Sequence, residues 1–548
     1  MKIAKRVIVG AVAAALALSF AACTGSDPTP PPPVDSTDAP PAGGGAISIR
    51  GCTPQEGLIG GNTQEVCGGH VLDAITARLI HYDPKTAEPI LDIAKSIDTN
   101  EDATVFVVHL KEGVKFSDGT EVKAHNFVDA WNHAVYSPNG MSQVEFFEPI
   151  AGFDDLKCEE DGCTPAADKM SGLTIQNDYQ FTITTSTPTS NLVVRLGYTA
   201  FNPEPDAFFT GDKEAFGKAP VGAGPYMVTS YTTDNIKLER NPNYVGDWAG
   251  HVDEINYRIY NDMNAAYADV LANNLDYIDQ VPSDQMINNQ WVSDLGADRT
   301  STTPAGTIQT ATFMPNDKQL AGNVALRRAI GQAIDRDTIT EQIFAGARKP
   351  MTGWISPSVD GYKEGQCGDA CIYNPEKAKA DYAASGGYKG VFMLSVNGDG
   401  GHAPWAQAVC NSLKNTLGME CEVNITPDFK TLLDQAKAGE LEGMIRSGWA
   451  MDYPSIENYL TPMFAKGAAS NYSKYDNPAF EKLLKDAAAA PSLAEANALY
   501  QQAEALFVES LPSVPLWFYT TNSAWSNKVD NVLTTPFGYL DYTSITVK

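Results

Sequence analysis

The chain has 548 residues, 43% of them hydrophobic, with 67 acidic against 39 basic side chains and a formal net charge of −28. That balance excludes a general binder of phosphate backbones, because nucleic acid would be repelled, so no nucleic-acid partner is expected. The roughly 500 residues that follow the N-terminal segment exceed what one core serves, which predicts two or three domains.

In chain order, Met1 to Cys23 (MKIAKRVIVGAVAAALALSFAAC) has a basic start at Lys2, Lys5 and Arg6, an apolar run from Val7 to Ala22, and a small-residue exit onto cysteine. The run falls short of the ~20 residues a membrane-spanning helix needs, so residues 1–22 read as a cleaved signal peptide. Phe20-Ala21-Ala22-Cys23 resembles a lipobox, which would make Cys23 the diacylated mature N-terminus. Ordinary cleavage with Cys23 left as a free thiol is the alternative. Residues 23–46, with a proline run, Ser, Thr and a Gly-Gly-Gly end, cannot bury a core and read as an extended tether. The expected location is the extracytoplasmic face of the cell membrane, touched through the lipid anchor only.

Thr104 to Leu110 (TVFVVHL) alternates and is β-branched, predicting a strand, and Ala124 to Tyr136 has helical apolar spacing. Asn235 to Arg240 is a short strand stopped by Asn241-Pro242-Asn243. Ile255 to Tyr260 is a further strand and Met263 to Asn273 a helix. Helices are predicted at Asn323 to Ile334, Pro375 to Ser385 and Ala403 to Leu417, the last between strands at Val391 to Val396 and Met419 to Ile425. Two helices, Phe480 to Ala488 and Leu493 to Ser510, precede a strand at Val514 to Tyr519. No short-period repeat is present, which argues against a solenoid or propeller.

Eight cysteines follow Cys23 and fall as near neighbours: Cys52 with Cys67, Cys158 with Cys163, Cys367 with Cys371, Cys410 with Cys421. Proximity and an oxidising location suggest four local disulfides. A zinc site is the rival reading, disfavoured because no CxxC doublet exists and the seven His are scattered; no metal and no cofactor is expected.

Three stretches carry a family resemblance. Val108 to Tyr136 (VHLKEGVKFSDGTEVKAHNFVDAWNHAVY), Pro220 to Tyr244 (PVGAGPYMVTSYTTDNIKLERNPNY) and Asn323 to Gly346 (NVALRRAIGQAIDRDTITEQIFAG) are similar, in order, to signatures of the family 5 extracytoplasmic solute-binding proteins, the peptide-binding receptors of ABC importers. The resemblance runs from about Ala46 to the end. It implies an α/β, two-lobed periplasmic-binding-protein-like fold (type II, cluster C) with an extra subdomain inserted in the first lobe. Lobe I would comprise residues 47–86, 215–307 and 525–548, the inserted subdomain 87–214 and lobe II 308–524. It also implies a monomer that binds an oligopeptide between hinged lobes and presents it to permease subunits in the membrane.

The segment Met444 to Pro454 (MIRSGWAMDYP) puts Trp449 and Asp452 at a lobe edge. By resemblance Asp452 pairs with the ligand's α-ammonium; from the bare residues a turn aspartate capping its own backbone is equally open. Arg446 matches a family arginine for the ligand's carboxylate, and His402, in the Gly-rich NGDGGHAP, falls where some members place a histidine for the same purpose. Backbone pairing of an extended peptide would use Gly448 to Ala450 and a stretch near Glu56 to Gly60. Trp449, Tyr453, Trp405 and Trp517 to Tyr519 are candidate pocket walls, although core packing is the preferred reading of Trp517 and Phe518 on the run VPLWFY. No G-x-S-x-G, H-E-x-x-H, P-loop or dinucleotide fingerprint is present, so no enzyme is expected. Other solutes for the same fold (an oligosaccharide, a nickel chelate, an opine) and a secreted glycosidase with paired carboxylates are the alternatives.

Overall fold

The computed structural model describes residues 44–548 apart from 55, 64, 159–163, 261, 399, 400, 428 and 469. The signal, Cys23, nearly all of the tether, and Cys163 of the expected Cys158–Cys163 pair lie outside the described residues. The other three expected pairs are disulfides: Cys52–Cys67, Cys367–Cys371 and Cys410–Cys421, with Cα atoms 5.3, 5.9 and 5.1 Å apart. No helix among the described residues is long and apolar enough to cross a membrane.

One 11-stranded mixed sheet runs through the molecule. Its first half is built on Ala46–Gly51, parallel to Glu254–Ile259, which pairs in turn with Asn235–Arg240 and then Tyr226–Tyr231. Its second half is built on Phe392–Asn397, parallel to both Cys421–Thr426 and Met444–Ala450. Two long antiparallel strands join the halves, Thr300–Phe313 and Ser513–Trp525, paired from Thr300 opposite Ala524 to Thr312 opposite Ser513. Each exceeds the common strand length of about 5–6 residues, because each serves both halves in turn. Their pairing is interrupted between Pro304 and Ile308. Pro304 has no N–H to give to a ladder, and the Gly306 carbonyl instead accepts from Met451 N at 2.9 Å and from the Tyr459 hydroxyl at 2.6 Å.

A separate four-stranded antiparallel sheet, Ala94–Thr99, Val105–Leu110, Gln180–Thr184 and Leu173–Asn177, packs with the helix Ala124–Val135 around Phe106, Phe127, Trp131 and Phe181. The alternation of Val105–Leu110 puts Phe106, Val108 and Leu110 into that core. The first half of the large sheet has a core around Ile47, Tyr226 and Tyr257, and the second half has cores around Trp354, Tyr459 and Phe507 and around Trp405 and Trp517.

Several predicted elements differ in extent. The Val514–Tyr519 prediction is part of a strand twice that length, the Thr300–Phe313 strand was not expected as an element, and the helix expected from Leu493 to Ser510 is two, Leu493–Ala505 and Phe507–Ser510.

Candidate functional site

The strand Met444–Ala450 lies inside the sheet, yet only one of its edges is fully used. Along Thr300–Phe313 it pairs from Met444 through Ala450, whereas along Phe392–Asn397 the pairing covers Met444 and Ile445 only. The other edge from Arg446 to Ala450 is therefore not laddered to any described strand, which is the backbone condition for accepting an extended ligand. Gly448 belongs there for a steric reason, since a Cβ would collide with the Ile308 carbonyl of the neighbouring strand.

Two cavities flank this edge and share Ala450 and Asp452. One, of about 290 Å³, is walled by Phe429, Leu433, Gly448, Trp449 and Tyr472 with Arg446 in its lining. The other, of about 190 Å³, is lined by Tyr82, Tyr198, Trp248, Phe537 and Tyr539 as well as Asp452. Sequence reasoning did not anticipate this aromatic lining, because its members come from segments up to 457 residues apart, from Tyr82 to Tyr539.

Asp452 sits where the cavities meet. Its carboxylate accepts from Asn458 Nδ2 at 2.9 Å, and its own N–H donates to Asn458 Oδ1 at 2.9 Å, so Asn458 holds it, rather than the backbone of its own turn. Trp449 Nε1 donates to the same Asn458 oxygen at 3.1 Å, which fixes the indole beside the carboxylate. Burial, with the charges of Glu145 and Glu457, pushes Asp452 up to about 6; Asn458 and Arg195 oppose that rise. The group is an anion at neutral pH, held in a poorly solvated place that favours a cationic partner.

The opposite end is rich in donors. His402 precedes the helix Ala403–Leu417; its Nδ1 faces the Trp405 indole N–H at 3.0 Å and its Nε2 faces Arg446 Nε at 3.0 Å. The Arg446 guanidinium also stacks over the Phe429 ring at 4.5 Å.

Two expected pocket walls are corrected by the structure. Trp405 is 1% exposed and packs edge-on against Trp517 in the second-half core, one layer behind His402. Tyr453 is 4% exposed and belongs to the core of the four-stranded subdomain, with its hydroxyl on Glu457 at 2.7 Å. Trp405 lies on the inward face of the helix Ala403–Leu417, and Tyr453 on the buried side of the turn that follows Ala450. His402, at the end of the Gly-rich run, is 6% exposed. Trp517 and Phe518 are core residues, as preferred. The stretch near Glu56 to Gly60 gives its Leu58 N–H to Gly217 at 2.9 Å and its Ile59 N–H to Gly57 at 2.7 Å, so part of its donor row is already committed.

Residues 88–471 match the model of the bacterial extracellular solute-binding proteins, family 5 Middle. The chain is 25% identical over 454 residues to the oligopeptide-binding protein OppA of Bacillus subtilis, covering 79% of this chain and 80% of that one. It is 27% identical over 450 residues to the periplasmic oligopeptide-binding protein OppA of Escherichia coli, with 79% of each chain covered. Among solved structures it superposes on the ABC transporter-associated periplasmic binding protein DppA from Helicobacter pylori, in complex with the peptide STSA, at a TM-score of 0.72 and 19% identity, covering 92% of this chain and 98% of that one. That likeness speaks for the fold, two lobes with the cleft between them. With its family signature spanning most of the folded body, the chain belongs to the bacterial extracellular solute-binding proteins of family 5, the binding-protein family of ABC importers.

Proposed function

We propose that this protein captures extended oligopeptides between two hinged lobes outside the cytoplasmic membrane and delivers them to the permease of an ABC importer. The observation that carries this reading is the placing of two opposite charges along one segment with an open backbone edge: the Asp452 carboxylate where the two cavities meet and the Arg446 guanidinium in the lining of one of them. A zwitterionic peptide is the complement of that arrangement. Its ammonium pairs with Asp452, its carboxylate with Arg446 and His402, and its main chain with Gly448 to Ala450. At ~3.3 Å per residue the stretch from residue 446 to 452 spans at most ~20 Å, room for a peptide of roughly three to six residues.

Closure rests on the crossing strands. The lobes are taken as residues 47–86, 215–307 and 525–548 for the first, 87–214 for its inserted subdomain and 308–524 for the second. The interrupted pairing at 304–308 lies at that division, and Gly306 there is hydrogen-bonded to Met451, the neighbour of Asp452. Rotation about this point brings the first lobe over the ligand, hides the charged termini from water and presents one closed surface to the permease. The reading involves no bond-making step. A lipid on Cys23 and the proline-rich tether would keep a monomeric receptor near the membrane.

Isothermal titration with trialanine tests it. Wild-type protein is expected to bind, and Asp452→Ala to lose ~3 kcal/mol or more of binding energy through loss of a buried charge pair. An unchanged dissociation constant in the variant contradicts the assignment of Asp452; binding of maltotriose or a nickel chelate in place of the peptide contradicts the ligand class.

A further inference from the structure

The four-stranded subdomain reaches the second lobe beside the ammonium site. Glu457 Oε2 accepts from Arg195 Nη2 at 3.1 Å, from Asn191 Nδ2 at 2.8 Å and from the Tyr453 hydroxyl at 2.7 Å. The two charged side chains of this pair are only 13% and 8% exposed. The Arg195 guanidinium also lies over the Tyr453 ring at 5.2 Å. Ser190, from the same loop, donates through N and Oγ to the carbonyls of Ala488 and Ala487 at 2.8 and 2.9 Å. Glu457 and Asn458 are consecutive in the first turn of the helix Glu457–Phe464: one is bound to the subdomain, the other holds the Asp452 carboxylate.

We infer that Arg195 and Glu457 are a positioning pair, through which the inserted subdomain fixes the Asp452 carboxylate for the ligand's ammonium. This rests on the reading of Asp452 as the ammonium site. Shared helical turn and shared chain carry the coupling: moving Glu457 moves Asn458, and Tyr453 is the residue after Asp452. Asp452 also faces the pair electrostatically, raised by Glu457 and Glu145 and lowered by Arg195. The other titratable groups that sense it are Tyr82, Tyr198, Tyr453, Tyr459 and Tyr539. Each of these tyrosines is held well above its ordinary range by burial, so none changes charge between pH 5 and 8.

The test compares trialanine with propionyl-Ala-Ala, its isostere without the ammonium, by titration calorimetry from pH 5 to 8. Wild type should favour trialanine strongly. In Arg195→Met the preference at pH 8 should fall at least tenfold while propionyl-Ala-Ala moves less than threefold. The pH below which trialanine affinity declines should rise, because Glu457 then faces Asp452 without its cation. Glu457→Gln should also lower the preference but shift that pH downward, and it supplies the readout if Arg195→Met does not accumulate. Arg195→Lys should retain most of the preference. Equal losses for both ligands would reduce the pair to a structural contact, and a preference raised in Arg195→Met would reduce it to a through-space charge; either overturns the inference. A wild type that does not discriminate between the ligands overturns the ammonium reading itself, and this inference with it.

Discussion

Asp452 is an anion with one strong side-chain partner, Asn458, and two neighbouring carboxylates, and these facts fix how binding should respond to pH. Free Asp452 is pushed up to about 6, and an ammonium partner favours its charged form, so the bound group titrates lower. Affinity for a peptide with a free amino terminus should therefore be near constant between about pH 6 and 7, weaken as the peptide's own amino group loses its proton towards pH 8, and fall about tenfold per unit below pH 6, as a proton must leave Asp452 before the ammonium can pair. Calorimetry between pH 4.5 and 8 reads this directly; affinity that is flat down to pH 4.5 contradicts the pairing. At the other end, Arg446→Ala should abolish discrimination between a peptide with a free carboxylate and its C-terminal amide, leaving both at the weaker affinity. Arg446, Trp449 and Asp452 were legible because they share one short segment with a recognisable pattern. Glu457, Arg195 and Asn191 were not, since their meeting depends on chain separations of more than 260 residues. Trp405 and Tyr453 were misjudged for a related reason: whether a ring on a helix or in a turn meets ligand or core is decided by the segments packed against it, and local sequence does not encode which.

Where an element is bounded by strong stop signals, sequence and structure agree to the residue. Asn235–Arg240 ends at Asn241-Pro242, and Ala403–Leu417 begins with Pro404 and ends at Gly418 in the left-handed conformation. The crossing strands lack such signals. Thr300–Phe313 contains Pro304, Ala305 and Gly306, residues that read as a turn but serve as the interruption in its pairing. The Thr520–Ser523 half of the other strand is polar and loses the apolar period. The edge strand Cys421–Thr426 is tied to the helix before it by Cys410–Cys421. Closing an 11-residue separation, that bridge should stabilise the protein by about 3 kcal/mol. The double variant Cys410→Ala/Cys421→Ala should unfold at correspondingly lower denaturant concentration in equilibrium melts, and an unaltered midpoint would show that the bridge adds nothing to this lobe.

For the molecule as a whole, buried carboxylates make stability depend on pH. Glu204 is pushed up to about 8 and Glu504 to about 7, both by burial; Glu504 accepts from Trp354 N at 2.6 Å. Their folded values lie above the unfolded one near 4.5, so the stability they contribute is fully present below about 4.5 and is lost progressively as pH rises to 7 and 8. His81 and His133 are pushed down to about 4 by burial, and their contribution is lost as pH falls below 6.5. Stability should decline by about 2 kcal/mol between pH 6.5 and 8, mostly through Glu204, a slope that Glu204→Gln flattens in urea melts. A stability that rises from pH 6.5 to 8 would contradict this assignment of buried protons. The two-lobed fold was legible because three separate signatures mark it along the chain, whereas the aromatic cavity beside Asp452 is made only when distant segments assemble. Whether the assembled cleft holds peptides is answered most directly by native mass spectrometry of the protein purified without denaturation, with the bound species released by acid and sequenced. A ladder of short peptides, each with free amino and carboxyl termini, is the predicted result; a sugar, a metal chelate or peptides with blocked termini would contradict a cleft built around Asp452 and Arg446.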